Sequence, residues 1–230
     1  MTLHTFKKIV LIFLFAQSVS SFANDTINWA GPYVGLDAGY TWGHDNNYEP
    51  PFGIQPAWSS HIKPKGGLMG INAGYDYLLS DKWLAGLGVE LKTYSADDTA
   101  QQYKSTDSSV LCCTIESSIK NKFSFLAKAG YLMNEKTLLY VNGGWASAQI
   151  KRNYRDTEFD YVDSSKNWQD GWTIGLGSEF NFYQNITAKI EYRYTDLGNK
   201  TIPNVFAGNW GSQQQDFYQN ELTAGVAYRF

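Results

Sequence analysis

The chain has 230 residues, a formal net charge of −3, 16% aromatic residues, 18% charged residues and 21 glycines. A charged share below the roughly 25% of soluble domains, combined with abundant Gly, Tyr and Trp, is a strand-and-turn composition rather than a helical one. The acidic balance leaves no clustered basic face, so no nucleic-acid partner is expected.

The first residues read as an export leader. Lys7 and Lys8 form a positive region, Ile9 to Ala16 a short apolar one, and Ser21-Phe22-Ala23 a small-x-small cleavage site. Gln17, Ser18, Ser20 and Ser21 cut the apolar run well short of the about 20 residues that a membrane helix needs. The predicted organisation is a signal peptide over 1–23 and one β-barrel over 24–230. Cleavage takes Lys7 and Lys8 from the 19 basic residues, leaving 17 against 22 acidic ones.

The rest alternates with a period of two, as strands do. Between Pro32 and Trp42, residues Val34, Leu36, Ala38, Tyr40 and Trp42 share one face, and Gly35, Asp37, Gly39 and Thr41 the other. Pro50, Pro51, Pro56 and Pro64 then mark a long loop over 43–65. A second strand, about Gly67 to Leu79, sets Met69, Ile71, Tyr75 and Tyr77 against Gly70, Asn72, Gly74 and Asp76. A tight turn at 80–82 leads to a third, Trp83 to Tyr94, with Leu87, Val89 and Leu91 opposite Gly88, Glu90 and Lys92. Residues 95–118 read as a second long loop. The fourth strand, Ile119 to Leu132, sets Phe123, Phe125 and Tyr131 against Lys122, Ser124 and Lys128.

A short turn at Asn134-Glu135 precedes the fifth strand, Thr137 to Ala148, and 149–169 reads as a third long loop. The sixth strand, Gly171 to Phe180, sets Trp172, Ile174 and Leu176 against Thr173, Gly175 and Glu179. The seventh, Ile186 to Thr195, alternates Ile186, Ala188, Ile190, Tyr192 and Tyr194 with Thr187, Lys189, Glu191, Arg193 and Thr195. A fourth long loop, 197–216, precedes the eighth strand at 221–230, where Leu222, Ala224, Val226, Tyr228 and Phe230 share a face.

Short turns thus alternate with loops of roughly twenty residues, the rhythm of short periplasmic and long extracellular connections. Charge falls on one face: Asp37, Glu90, Lys92, Lys122, Lys128, Glu179, Lys189, Glu191, Arg193 and Arg229 belong to one inward set, and the apolar faces carry none. A soluble barrel or sandwich would turn the apolar face inward. Strand-end aromatics (Trp42, Trp83, Tyr131, Trp145, Trp172, Tyr194) match interfacial girdles instead. Strands span a membrane only as a closed barrel, so the predicted fold is all-β, an eight-stranded antiparallel up-and-down transmembrane barrel. Its bore is just wide enough for side chains to fill. Unpaired buried charge is costly, so ion pairs are expected across the lumen, such as Glu90, Glu179 and Glu191 with Lys128, Lys189 and Arg193.

Gly31 to Tyr40 together with Val226-Ala-Tyr-Arg-Phe230 resembles the small outer-membrane β-barrel family of OmpA-like and opacity-type domains and the surface immunogenic, porin-like proteins of alphaproteobacteria. The resemblance covers the predicted mature chain, without the peptidoglycan-binding domain of full-length OmpA. It implies an outer-membrane location, outer-membrane lipids and the β-barrel assembly machinery as partners, and Tyr228 and Phe230 as a C-terminal assembly signal.

The expected role is a monomeric structural or surface-exposed one, with loops available for interaction and no catalysis, cofactor or metal. The first alternative is a haemin-binding or adhesin-type surface protein, with haemin or a host surface as ligand. It rests on His44 and His61, the two histidines of the predicted mature chain, set among Tyr48, Phe52 and Trp58. The second alternative is a narrow porin or a lipid A-modifying enzyme. Ser59 and Ser60 adjoin His61, but no carboxylate is spaced to orient it, and catalysis needs such a constellation. Asp156, Glu158 and Asp160 alternate as a cation-binding row would, or as a solvated rim beside Lys151, Arg152 and Arg155. The adjacent Cys112 and Cys113 suit a loop dithiol or a vicinal bridge rather than a zinc site.

Overall fold

The structure is a computed structural model and describes residues 27–51, 56–156, 161–203 and 212–230. The expected leader over 1–23 therefore lies outside the described residues. Nine antiparallel strands follow in chain order: β1 (Gly31–Glu49), β2 (Trp58–Ile62), β3 (Lys65–Leu78), β4 (Trp83–Lys104), β5 (Asp107–Asn134), β6 (Thr137–Asp156), β7 (Tyr161–Tyr183), β8 (Ile186–Pro203) and β9 (Ser212–Arg229). Each pairs with the next along the wall, and β1 pairs with β9 from Tyr33↔Arg229 to Tyr48↔Gln214, closing the ring.

The ring contains eight strands, because β2 and β3 are two pieces of one. β2 pairs with β1 (Asp45↔Ile62) and β4 (Trp58↔Lys104), the same neighbours that flank β3. The break falls at Lys63-Pro64, where proline has no N–H to give to a ladder. The Pro64 carbonyl still accepts from the Gly43 N–H at 2.9 Å, and the Lys63 N–H donates to Asp98 at 3.0 Å.

The faces divide by parity. Leu36, Met69, Ile71, Leu87, Phe125, Val141, Ile174, Leu176 and Val226 stand exposed on the outer wall, while Asp37, Glu90, Lys92, Lys122, Glu179, Glu191, Arg193 and Arg229 are buried within. Aromatic contacts ring the wall at two heights. Trp42 meets Tyr192, Trp172 meets Tyr194, and Trp145 meets Phe125 at one; Trp83 meets Tyr131 and Tyr228 meets Phe230 at the other. An indole or phenol suits the boundary where hydrocarbon gives way to headgroups.

The four long loops expected at 43–65, 95–118, 149–169 and 197–216 are, in their described parts, mostly strand. β4 and β5 stay paired as far as Lys104↔Asp107, and β6 and β7 as far as Asp156↔Tyr161. Their sequences look polar because water, not lipid, meets the outer wall above the upper girdle. Their inner positions still bury side chains, apolar ones such as Ala96 on β4, Ile115 on β5 and Ile150 and Tyr154 on β6 among polar ones such as Ser117 and Arg152. The barrel therefore projects well beyond the hydrophobic band.

Leu87 is 70% exposed at the middle of the lipid-facing wall of β4. Leu87→Arg is expected to destabilise the barrel by about 2–4 kcal/mol in a urea titration of refolding into lipid vesicles, as for a cation placed at the bilayer midplane. An arginine tolerated there without loss would mean that this face does not meet hydrocarbon.

Candidate functional site

The bore is filled in layers. At the end with the short turns, Trp29, Leu84, Leu132 and Leu138 make an apolar plug that Tyr140 tops. Tyr140 shares its face with Leu138, and its hydroxyl donates to Glu191 at 2.9 Å. Parity alone did not show that aliphatic side chains would enter the lumen here.

Next comes a cluster around Arg229. Its guanidinium reaches Glu179 at 3.0 Å and Asp76 at 2.9 Å and donates to the Trp29 carbonyl at 2.9 Å. Asp76 also accepts from Lys128 at 2.6 Å, and Thr187 donates to Glu179 at 2.5 Å. The Lys128 ammonium sits 4.6 Å from the Tyr33 ring centre, so an aromatic face shares its charge. Glycine makes room here: a Cβ on Gly86 would collide with the Asp76 carboxylate, and one on Gly225 with that of Asp37.

Above it lies the central cluster. Arg193 bridges Glu90 at 2.5 Å and Glu191 at 2.6 Å. Lys92 joins Glu90 at 3.1 Å to Glu221 at 2.9 Å, and Lys122 also pairs with Glu221. Tyr94 and Gln219 donate to Glu221 at 2.7 and 2.6 Å, so this carboxylate is saturated. Lys189 pairs with Asp37 at 2.9 Å, and Asn72 donates to Asp37 at 2.7 Å. Of the cation–carboxylate pairings given as examples from sequence, only Glu90 and Glu191 with Arg193 meet. Glu179 turns to Arg229, Lys128 to Asp76 and Lys189 to Asp37.

A cavity of about 40 Å³ remains between the two clusters, lined by Tyr33, Asn72, Asn142, Glu191 and Arg193 among others. Asn72 Oδ1, Asn142 Oδ1 and Arg193 Nε lack protein partners there, so it suits ordered water and little more. The larger hollow, about 570 Å³, is mostly apolar and lies on the outer wall around Leu36, Ile71, Ala73 and Val89; in a bilayer it faces acyl chains.

A second apolar layer crosses the bore above the central cluster: Leu68, Tyr94, Ala96, Ile119, Ala148, Ile150, Leu197 and Phe217. Higher still, Arg152 binds Asp45 through two nitrogens, each at 2.8 Å, and Ser117 donates to the same carboxylate at 2.5 Å. Ile62, Cys113, Ile115 and Tyr154 form the uppermost apolar group. Cys113 lies within β5 rather than in a loop, it is disulfide-bonded, and the Tyr154 hydroxyl donates to its sulfur.

The sequence reading missed four charged members of these networks. Asp76 had inward parity, and Glu221 stood at the edge of its predicted strand. Asp45 and Arg152 fell in segments read as loops. Continued alternation, Asp45 with Asn47 and Ile150 with Arg152 and Tyr154, was the signal that marked them.

His44 and His61 both lie above the upper girdle, and each is already engaged. His44 stacks on Tyr218 with ring centres 4.8 Å apart, and burial, Lys63 and His61 together lower its pKa. His61 is exposed and shares a 2.8 Å hydrogen bond with Asn46. Ser60 turns into the bore on the face opposite His61, and Ser59 pairs with Ser105 at 2.7 Å. Among the described residues, no group of three or more His, Cys, Asp or Glu side chains is placed to hold a metal. The row Asp156, Glu158, Asp160 lies outside the described side chains, and Phe52 outside the described residues. Tyr228 and Phe230 stand on the outer wall at the lower girdle, and the Phe230 N–H donates to the Pro32 carbonyl at 3.0 Å.

The family model for the outer membrane protein beta-barrel domain matches residues 9–230. The 31 kDa outer-membrane immunogenic protein of Brucella melitensis is 29% identical over 192 residues, covering 79% of this chain and 76% of that protein. The 25 kDa outer-membrane immunogenic protein of Brucella ovis is 30% identical over 173 residues, 75% of this chain and 72% of that protein. Among solved structures, OprG of Pseudomonas aeruginosa aligns with a TM-score of 0.55 at 13% identity, covering 90% of this chain and all of that one. The Escherichia coli outer membrane protease OmpT aligns at 0.52 and 10% identity, covering 93% of this chain and all of that one, a likeness of fold alone. The closed ring, its outward apolar wall and these relatives agree: the chain belongs to the outer-membrane β-barrel protein family and is an integral β-barrel of the outer membrane.

Proposed function

We propose that this barrel is a sealed, non-catalytic envelope protein whose work is done at the cell surface by the wall that projects beyond the outer girdle. The layered bore carries this reading. Among the described residues, charges that meet as ion pairs between apolar layers fill the bore, and a filled eight-stranded bore conducts poorly. The Brucella relatives are named immunogenic outer-membrane proteins, which supports exposure of the same end here. The partners of such a protein are outer-membrane lipids along the wall, the assembly machinery reading Tyr228 and Phe230, and a ligand or host surface met by the projecting strands.

In planar bilayers the refolded protein is expected to give no sustained conductance steps; a stable, ion-selective open level would replace this reading with that of a narrow pore. Lys166→Cys, on the projecting wall, is expected to react with a membrane-impermeant maleimide on intact cells, and Asp81→Cys, in a short turn, only after permeabilisation. The reverse pattern would put the projecting end in the periplasm. Glu221→Gln leaves Lys92 and Lys122 without their shared carboxylate and is expected to cost about 3–5 kcal/mol in urea titrations. Adding Lys122→Met should recover part of that loss.

A further inference from the structure

Within the membrane every seam of the wall is laddered; above it, among the described residues, the β2–β4 seam is interrupted and resumes, whereas β7 and β8 part without rejoining. β7 and β8 pair from Tyr183↔Ile186 up to Trp172↔Asp196, and among the described residues no pair continues beyond. Both strands run on. β7 stays on β6 as far as Asp156↔Tyr161, and β8 stays on β9 as far as Pro203↔Ser212. Residues 161–171 of β7 and 197–203 of β8 therefore present two backbone edges toward each other with no ladder between them.

The cause is local to β8. Gly198 takes φ +67°, its N–H turns back to the Asp196 side chain at 2.8 Å, and the β8–β9 register slips between Asp196 and Asn199. A glycine in the left-handed region with an extra residue in one strand is a bulge, and a bulge bends its strand away from the partner. Leu197 turns inward to join the upper apolar layer. The edges still touch at the foot of the slit, where a Cβ on Gly171 would collide with the Asp196 carbonyl. Above that foot, a side chain rather than a backbone pair joins the two edges. The Lys200 ammonium donates to the Trp168 carbonyl at 2.8 Å.

We propose that this slit is a strand-addition site, taking an extended acidic segment of a partner polypeptide between β7 and β8 above the membrane. Unladdered edge groups are satisfied by water or by another backbone, and an inserted strand meets both edges at once. The charge on the banks selects the occupant. Lys166 and Lys200 stand exposed on opposite sides, and Lys151 lies directly across β6–β7 from Lys166. Like charges facing one another across a ladder are unfavourable, and carboxylates on a neighbouring strand relieve them. Asp170 and Asp196 lie at the foot, and Asp163 falls on the opposite parity of β7 from Lys166, so the acidic preference belongs to the positions beside Lys166 and Lys200. Val162 and Trp168, both exposed on β7, offer apolar contact between the charges.

The proposal rests on the surface-exposed reading, because a polypeptide reaches the slit from outside only if this end faces outward; the Lys166→Cys labelling tests that point alone. The probe is a fluorescent peptide of about six residues alternating Val and Glu, titrated into the refolded full-length protein in lipid nanodiscs. Saturable binding is expected, weakened at least about tenfold by N-methylation of alternate residues, by a Val–Lys version, and by Lys166→Glu with Lys200→Glu. An oxidised Trp168→Cys/Lys200→Cys pair should abolish binding, and either single variant should not. Hydrogen exchange should show fast amides between 162 and 170 in the free protein that slow with peptide. Equal binding of the N-methylated peptide, binding that survives the cross-link, amides already slow without peptide, or protection that rises with protein concentration alone would each overturn the proposal.

Discussion

The structure depends on one constraint: in hydrocarbon no water is present to satisfy a backbone N–H or carbonyl. A sheet meets this only when its first and last strands pair, and here β1 and β9 do so over sixteen register positions, Tyr33↔Arg229 to Tyr48↔Gln214. Closure fixes the parity of every strand at once. A one-residue slip anywhere would push lumen charges into lipid and aliphatic side chains into the bore. The alternation is therefore enforced by both solvents together, the bilayer outside and the charge network within.

Inside, ionic groups removed from water stand only if each is compensated. The two clusters do this by sharing. Glu221 takes two ammonium groups, a phenol and an amide; Arg193 and Arg229 each span two carboxylates. Each of these ions ties together strands that are not neighbours in the ring. Lys92 and Lys122 on β4 and β5 meet Glu221 on β9, and Arg193 on β8 meets Glu90 on β4. The network is thus a set of struts across the lumen, and the apolar layers above and below it keep water from weakening them.

Strand identity, facing and the ten inward charges were legible in sequence because each follows from a period of two in a segment with oil on one side. Partner choice was not, since it depends on barrel stagger: Glu179 meets Arg229 rather than Lys128 because register brings their tips to one height. The extended wall was misread for a different reason. Above the girdle the outer face is polar, so 95–118 and 149–169 lose the contrast that marks a lipid-facing strand, while every second residue, such as Ala96, Ile115, Ile150 and Arg152, still turns inward. The prolines misled at 43–65. Pro64 breaks a strand in two without ending it, because β2 resumes between the same neighbours.

The same reasoning explains why the wall is laddered at every seam below and split above. Inside the membrane an unpaired edge is forbidden, so β7 and β8 must stay together from Tyr183↔Ile186 to Trp172↔Asp196. Past the outer girdle water accepts the freed groups, and a single bulge at Gly198 is enough to part the strands. The parting begins at the aromatic pair Trp172 and Tyr194, one step inside the point where the solvent changes. A feature that lipid would not tolerate is therefore available to the protein only on the part that projects. Departures from the ideal barrel at this height, the Pro64 break and the Gly198 bulge alike, belong to the surface of the cell rather than to the span.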